Sequence, residues 1–178
     1  MGIRLAPLAL LLLFFLPFLL VRDERSAAMM DAISIENLKE HVRKLHFDRN
    51  PYDRYVELER VAQYIQSEFV KIGLEVKEDS FQWEGGTYRN ILAEKKGTKP
   101  SDSDKVLIVG AHYDTVPGSP GADDNSSAIA VLLEVARNMR KVPLGSTLKL
   151  IAFALEEYGY IGSGHYAEQA KREEEKIL

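Results

Sequence analysis

Three short stretches of this sequence place metal-binding and proton-transferring side chains where a folded chain could bring them together. The first contains His112 and Asp114, the second the adjacent pair Asp123 and Asp124, and the third the adjacent pair Glu156 and Glu157. A neutral imidazole is a good ligand for a divalent metal. Asp114, two residues on along an extended chain, lies on the same side as His112 and can accept its second ring N–H, which would fix the tautomer. Successive side chains on extended backbone point to opposite sides. One carboxylate of Glu156-Glu157 can therefore bind metal while the other faces a water that must lose its proton. Bunched carboxylates repel one another, and a bound divalent cation relieves that repulsion. The sequence has no cysteine, so thiolate sites and disulfides are excluded and any zinc site must use His, Asp and Glu. Each stretch also has a plainer reading. His112 could be a core histidine, Asp123-Asp124 a helix N-cap, and Glu156-Glu157 a solvated pair.

Those stretches need elements to hold them. Residues 106–109 (VLIV) form an apolar run without alternation, which suits a strand buried on both faces, and residues 105–111 are expected to be that strand. It runs straight into His112. A second buried strand is expected over 148–155, running into Glu156, and a helix over 122–140 opening at Asp123. In open α/β sheets, sites form beyond the carboxyl ends of the strands, where these residues lie. Upstream, the apolar spacing predicts helices over 31–45 and 55–72, the second stopped by Gly73. Strands are expected over 74–81 and 88–95, with Gly85-Gly86 turning the chain between them. A last helix is expected over 166–177, where the charged run 171–176 reads as a solvated face. His41, His46 and His165 read as structural or surface histidines. Alternating strands and helices argue an α/β fold with three layers (α/β/α) and a mixed, mostly parallel sheet.

The N-terminus is different in kind. Residues 5–21 are an unbroken apolar run containing Pro7 and Pro17, preceded by Arg4 and followed by Arg22-Asp23-Glu24-Arg25. This pattern suits a membrane helix or a signal segment over residues 1–25, with residues 26–178 forming the domain on the extracytoplasmic side, or secreted if the segment is cleaved. The net charge of −4 and the lack of a basic stripe argue against a nucleic-acid partner.

Residues 106–115 (VLIVGAHYDT), 120–128 (PGADDNSSA) and 151–163 (IAFALEEYGYIGS) closely resemble the co-catalytic zinc aminopeptidases, metallopeptidase family twenty-eight. The resemblance extends over residues 36–177 and is strongest from Val106 on. It implies a zinc-peptidase-like fold and removal of N-terminal residues from peptides at two zinc ions. His112 would bind one zinc, Asp123 would bridge both, and Glu157 would bind the other. Glu156 would be the general base and Asp114 would orient His112. A cis peptide after the bridging aspartate would here be Asp123–Asp124. The family's remaining ligands, an acidic residue on the strand after the last helix and a second histidine further on, have no counterpart before Leu178. The expectation is therefore a C-terminally truncated catalytic domain, completed by a missing C-terminal half or a dimer partner. Two rival readings are a glutaminyl-cyclase-like acyltransferase and a non-catalytic, membrane-anchored fragment.

Overall fold

The computed structural model describes residues 32–178; the expected membrane or signal segment over 1–25 lies outside the described residues. Residues Ser34–Leu178 form one compact unit. Among the described residues, no helix is long and apolar enough to cross a membrane.

Helix α1 spans Ile35–Leu45 and begins where Ser34, in extended conformation, accepts the Asn37 N–H on its hydroxyl at 3.2 Å. Helix α2 covers Tyr55–Ile72, as its apolar spacing predicts, and buries Leu58, Val61, Ala62, Ile65 and Phe69 on one face. Gly73 ends it in the left-handed region (φ +86°), donating its N–H back into the last turn, a conformation costly for a residue with a Cβ. Strands β1 (Glu75–Trp83) and β2 (Gly86–Lys95) form an antiparallel hairpin. Its turn is Glu84-Gly85, both with positive φ, rather than the expected Gly85-Gly86. Gly86 already pairs with Trp83.

Strand β3 (Lys105–His112) runs parallel to β4 (Thr147–Phe153), while β4 also pairs antiparallel with β2. The sheet order is β1-β2-β4-β3-β5. Strand β5 is the two-residue Lys176–Ile177, parallel to β3, with Leu178 donating its N–H to the Val106 carbonyl at 2.9 Å. Parallel and antiparallel pairings are equal in number, which corrects the expectation of a mostly parallel sheet. The β1–β2 hairpin enters the sheet without a crossover helix, and that forces the antiparallel half.

Period-two alternation divides the sheet's two faces. Ile91, Ala93, Leu148, Leu150 and Ala152 pack with α2 and with helix α3 (Ala128–Met139) in the main core. Leu92 and Ile151 face the other way, onto Tyr166 and Ala170 of helix α4 (Ile161–Arg172). Helices thus cover both faces. Three expected helices change their bounds, the first being α1, which begins at Ile35 rather than at 31. The stretch Ala122–Ser127 is a wide, irregular turn in which Asp124 and Asn125 leave helical φ/ψ, so regular helix begins at Ala128. Helix α4 starts five residues before the expected 166 and stops at Arg172, because the chain then turns to lay β5 on β3.

Candidate metal centre

His112 is the last residue of β3 and pairs in register with Phe153, the last of β4. The next bond continues the ladder, with Tyr113 N–H donating to the Phe153 carbonyl at 3.0 Å. The two chains then diverge. Asp114 turns inward and is wholly buried, and its carboxylate spans the gap. Oδ1 accepts the Glu156 N–H at 3.0 Å and Oδ2 accepts the Glu157 N–H at 3.1 Å. A carboxylate holding two backbone donors resists rotation. Asp114 thereby sets the backbone that aims both glutamates. Leu155, just before them, is buried in the left-handed region (φ +59°), an uncommon conformation for a residue with a branched side chain. It makes β4 end at Phe153, short of the expected Leu155, and turns the chain towards Asp114.

His112, Glu156 and Glu157 each offer a ligand atom, all within 4.8 Å of one another. Glu156 Oε2 lies 3.6 Å from His112 Nε2. Asp124 approaches the same nitrogen more closely, with Oδ1 at 3.0 Å. Asp123, the expected bridging residue, stands apart. Its backbone carbonyl accepts the Ser127 hydroxyl at 2.7 Å, and its carboxylate makes no contact with His112 among the described residues. The cis peptide likewise falls at Asp124–Asn125, one residue later than the expected Asp123–Asp124. In an irregular turn neither helical nor strand periodicity decides which of two adjacent aspartates points inward, and the expected register is off by one residue.

Asp114 does not accept a hydrogen bond from His112. Its Oδ1 is 3.5 Å from Nδ1, an ion-pair distance without hydrogen-bond geometry, and Nδ1 is buried with no hydrogen-bond partner. Electrostatics matches this crowding. Burial pulls the His112 pKa down, but Asp114, Glu156 and Asp124 together outweigh burial and hold it above its usual value. Glu157 is raised, first by burial and then by the charge of Asp124, against the opposing pull of His112. A divalent cation would reverse both directions by supplying the missing positive charge.

The support for this cluster includes a residue that the sequence did not single out. Arg49 lies in the loop between α1 and α2 with no exposed surface. Its guanidinium donates to the carbonyls of Tyr113, Leu45 (2.7 Å), Phe47 (3.0 Å), Pro120 (3.3 Å) and Gly121 (3.3 Å), and to the Ser126 hydroxyl (3.0 Å). Burial lowers its pKa to about 10 against the pull of Asp114, Asp48 and Asp124, so it remains charged at neutral pH. One side chain thus ties the β3 end, the 120–121 loop and the irregular turn that carries Asp124. Gly121 completes the junction at φ +56°. A Cβ there would come within 2.3 Å of Thr115 Cγ2 and 2.8 Å of the Asp124 carbonyl. No sequence signal marks Arg49, since an arginine outside periodic structure is by default a surface residue.

The other histidines stay outside the cluster. His165 contacts Asp79 at 2.9 Å, so it is partly buried and paired rather than simply at the surface. His41 contacts the Tyr64 hydroxyl at 2.6 Å, a structural role as expected.

Comparisons with known proteins agree with this arrangement. The description of Peptidase family M28 matches residues 90–178, half of the chain. Aminopeptidase YwaD of Bacillus subtilis (strain 168) is 43% identical over 90 residues, covering 51% of this chain and 20% of that protein. The uncharacterized protein YfbL of Escherichia coli (strain K12) is 37% identical over 134 residues, 70% of this chain and 40% of that one. This chain therefore spans less than half the length of these relatives. Among solved structures, LapB from Legionella pneumophila superposes with a TM-score of 0.73 at 24% identity, covering 87% of this chain and 44% of that one. The aminopeptidase from Aneurinibacillus sp. strain AM-1 gives 0.70 at 17%, covering 79% and 67%. A glutaminyl cyclase from Porphyromonas gingivalis gives 0.58 at 26%, covering 70% and 46%. The matched segment takes in β3, β4 and every side chain around His112, and on that footing the chain belongs to peptidase family M28.

Proposed function

We propose that this chain carries the N-terminal part of a zinc aminopeptidase site, which removes N-terminal residues from peptides. The observation that supports this most is the convergence of Asp124, Glu156 and Glu157 on His112, with Asp124 Oδ1 at 3.0 Å and Glu156 Oε2 at 3.6 Å from its Nε2. The donor set, one imidazole with carboxylates, suits zinc. His112 and Glu157 would hold one ion each of a pair, with Asp124 between them in the place the sequence suggested for Asp123. When bound, the metal supplies Lewis acidity and lowers the pKa of a coordinated water. Glu156 then takes the proton of the attacking water on its carboxylate and delivers it to the leaving amine. Asp114 keeps the Glu156-Glu157 backbone in place while that proton moves. This reading also includes an N-terminal segment over 1–25 that tethers or exports the domain; one relative, LpqL of Mycobacterium tuberculosis, is named a probable lipoprotein aminopeptidase.

The first test is elemental analysis of the purified protein from zinc-replete medium, followed by assays on leucine amides. Glu156→Gln should keep the metal and lose turnover by roughly a hundredfold or more. Retained turnover in that variant would remove Glu156 as the base. Turnover on N-terminal glutamine peptides with none on leucine amides would instead support an acyltransferase, the reading favoured by the Porphyromonas gingivalis neighbour.

A further inference from the structure

Beside the metal cluster stands an aromatic surface to which no role has yet been given. Tyr158 directly follows Glu157 in the chain, and its hydroxyl donates to the Thr115 carbonyl at 3.1 Å, one residue past Asp114. Its ring meets Tyr52 edge-on at 5.4 Å and Trp83 at 5.6 Å, and Tyr52 and Trp83 meet at 6.2 Å. The three rings come from three distant parts of the chain: the loop before α2, the tip of the β1–β2 hairpin and the turn after β4. Trp83 is anchored below by the buried Tyr88, 5.9 Å away.

Tyr52 decides the meaning of this cluster. It is 62% exposed, so its ring is not core. Yet its backbone is held rigidly. The wholly buried Asn50 accepts the Tyr52 N–H at 2.9 Å and the Asp53 N–H at 3.2 Å, and donates to Asp48 at 2.9 Å. Asp48 in turn accepts the Gly118 N–H at 2.7 Å, in the loop that follows Asp114. Buried polar groups thus lock an exposed aromatic onto the loop that shapes the metal cluster. A rigid, exposed ring gives contact area with little ordering entropy, which is the property of a recognition surface. The rings pack on one another and enclose no box, so a flat apolar group fits them better than an ammonium ion caged on several sides.

We infer that Tyr52, Trp83 and Tyr158 form a wall that receives an aromatic or large aliphatic side chain of the peptide held at the Glu156-Glu157 cluster. This deepens the aminopeptidase reading and rests on it for the identity of the ligand as a peptide. The wall itself does not require the metal.

Trp83 is the sole tryptophan of the sequence, so the chain has one indole N–H resonance. The full chain, nitrogen-labelled and kept in mild detergent, is titrated with phenylalaninamide and with alaninamide, with and without zinc, while zinc content is measured on the same samples. The expected result is a saturable shift of the indole resonance, with phenylalaninamide at least roughly tenfold tighter than alaninamide. Tyr52→Ala, at an exposed position, should abolish that preference, and Tyr52→Phe should retain it. Equal affinity for both amides, no saturable shift, or a preference that survives Tyr52→Ala overturns the wall. Zinc uptake without an indole shift rejects the wall and leaves the metal reading standing. An indole shift without zinc uptake does the reverse, and neither signal rejects both.

Discussion

At the N-terminal end of β3, charged side chains pair where solvent reaches them. Asp102 contacts Lys99 at 2.6 Å and Lys105 at 2.7 Å, and Lys176 of β5 meets Asp104, just before β3. At the C-terminal ends of β3 and β4, the supporting charges Asp114 and Arg49 are buried and bound mostly to backbone. Asp114 takes two N–H groups, and Arg49 donates to five carbonyls and a hydroxyl. The first end uses charge where water screens it, so each pair contributes little. The second uses charge where no water can replace a lost partner, so each group fixes a geometry. A site needs its ligands held to within a fraction of an ångström, and that is what the second arrangement supplies.

Removing Arg49 is the harshest way to test that contrast. Arg49→Met leaves the carbonyls of three chain segments without their donor. It should cost about 3–5 kcal/mol of stability, read by denaturant unfolding. A loss no larger than that of a surface arginine would dissolve the distinction between the two ends. Next in size is the metal itself. Asp124→Asn should weaken zinc binding by about a hundredfold while Asp123→Asn leaves it nearly unchanged, measured by competition with a chelator. The opposite ranking would restore the register expected from the sequence.

A third test separates ligand from support. Asp114→Asn keeps one acceptor but turns an amide N–H towards the second backbone donor. Zinc affinity should fall about 10–100-fold although no ligand has been touched. Away from both ends, Glu134 is a buried charge with a conventional partner. Arg137 holds its carboxyl down at about 2 against an ordinary 4.5, with the Ser34 N–H and the Asn37 amide adding to the pull. Its folded-state pKa is depressed, so its stabilisation is complete above about 4.5 and is lost as pH falls towards 2. Glu134→Gln should cost about 2 kcal/mol at neutral pH and flatten acid unfolding in that window. The smallest effect belongs to the solvated end, where Asp102→Asn should leave the unfolding midpoint unchanged within error. A clear drop there would mean that the surface pairs stabilise the strands after all.

Helix α2 could be placed at both termini because its apolar period and Gly73 are local signals. The same holds for β3, whose apolar run carries straight into His112. Helix α4 and strand β5 were displaced from expectation because the charged run 171–176 looks helical by composition, whereas pairing with β3 decides where the helix must stop. The three stretches around His112, Asp124 and Glu156-Glu157 were identifiable by residue type and by their position after buried strands. The register within the aspartate pair was not, because an irregular turn has no period to read.

Arg49 and the Tyr52–Trp83–Tyr158 surface lay beyond such reasoning altogether. Their partners are tens of residues away in sequence, and nothing in an isolated arginine or tyrosine announces burial or exposure. By itself the sequence determined the fold class, the family and the chemical types at the site, because periodicity and residue chemistry are local properties. Only the tertiary structure decided which aspartate faces His112, which carboxylate holds the backbone and which charge is buried, since those outcomes depend on distant atoms arriving within about 3 Å of one another.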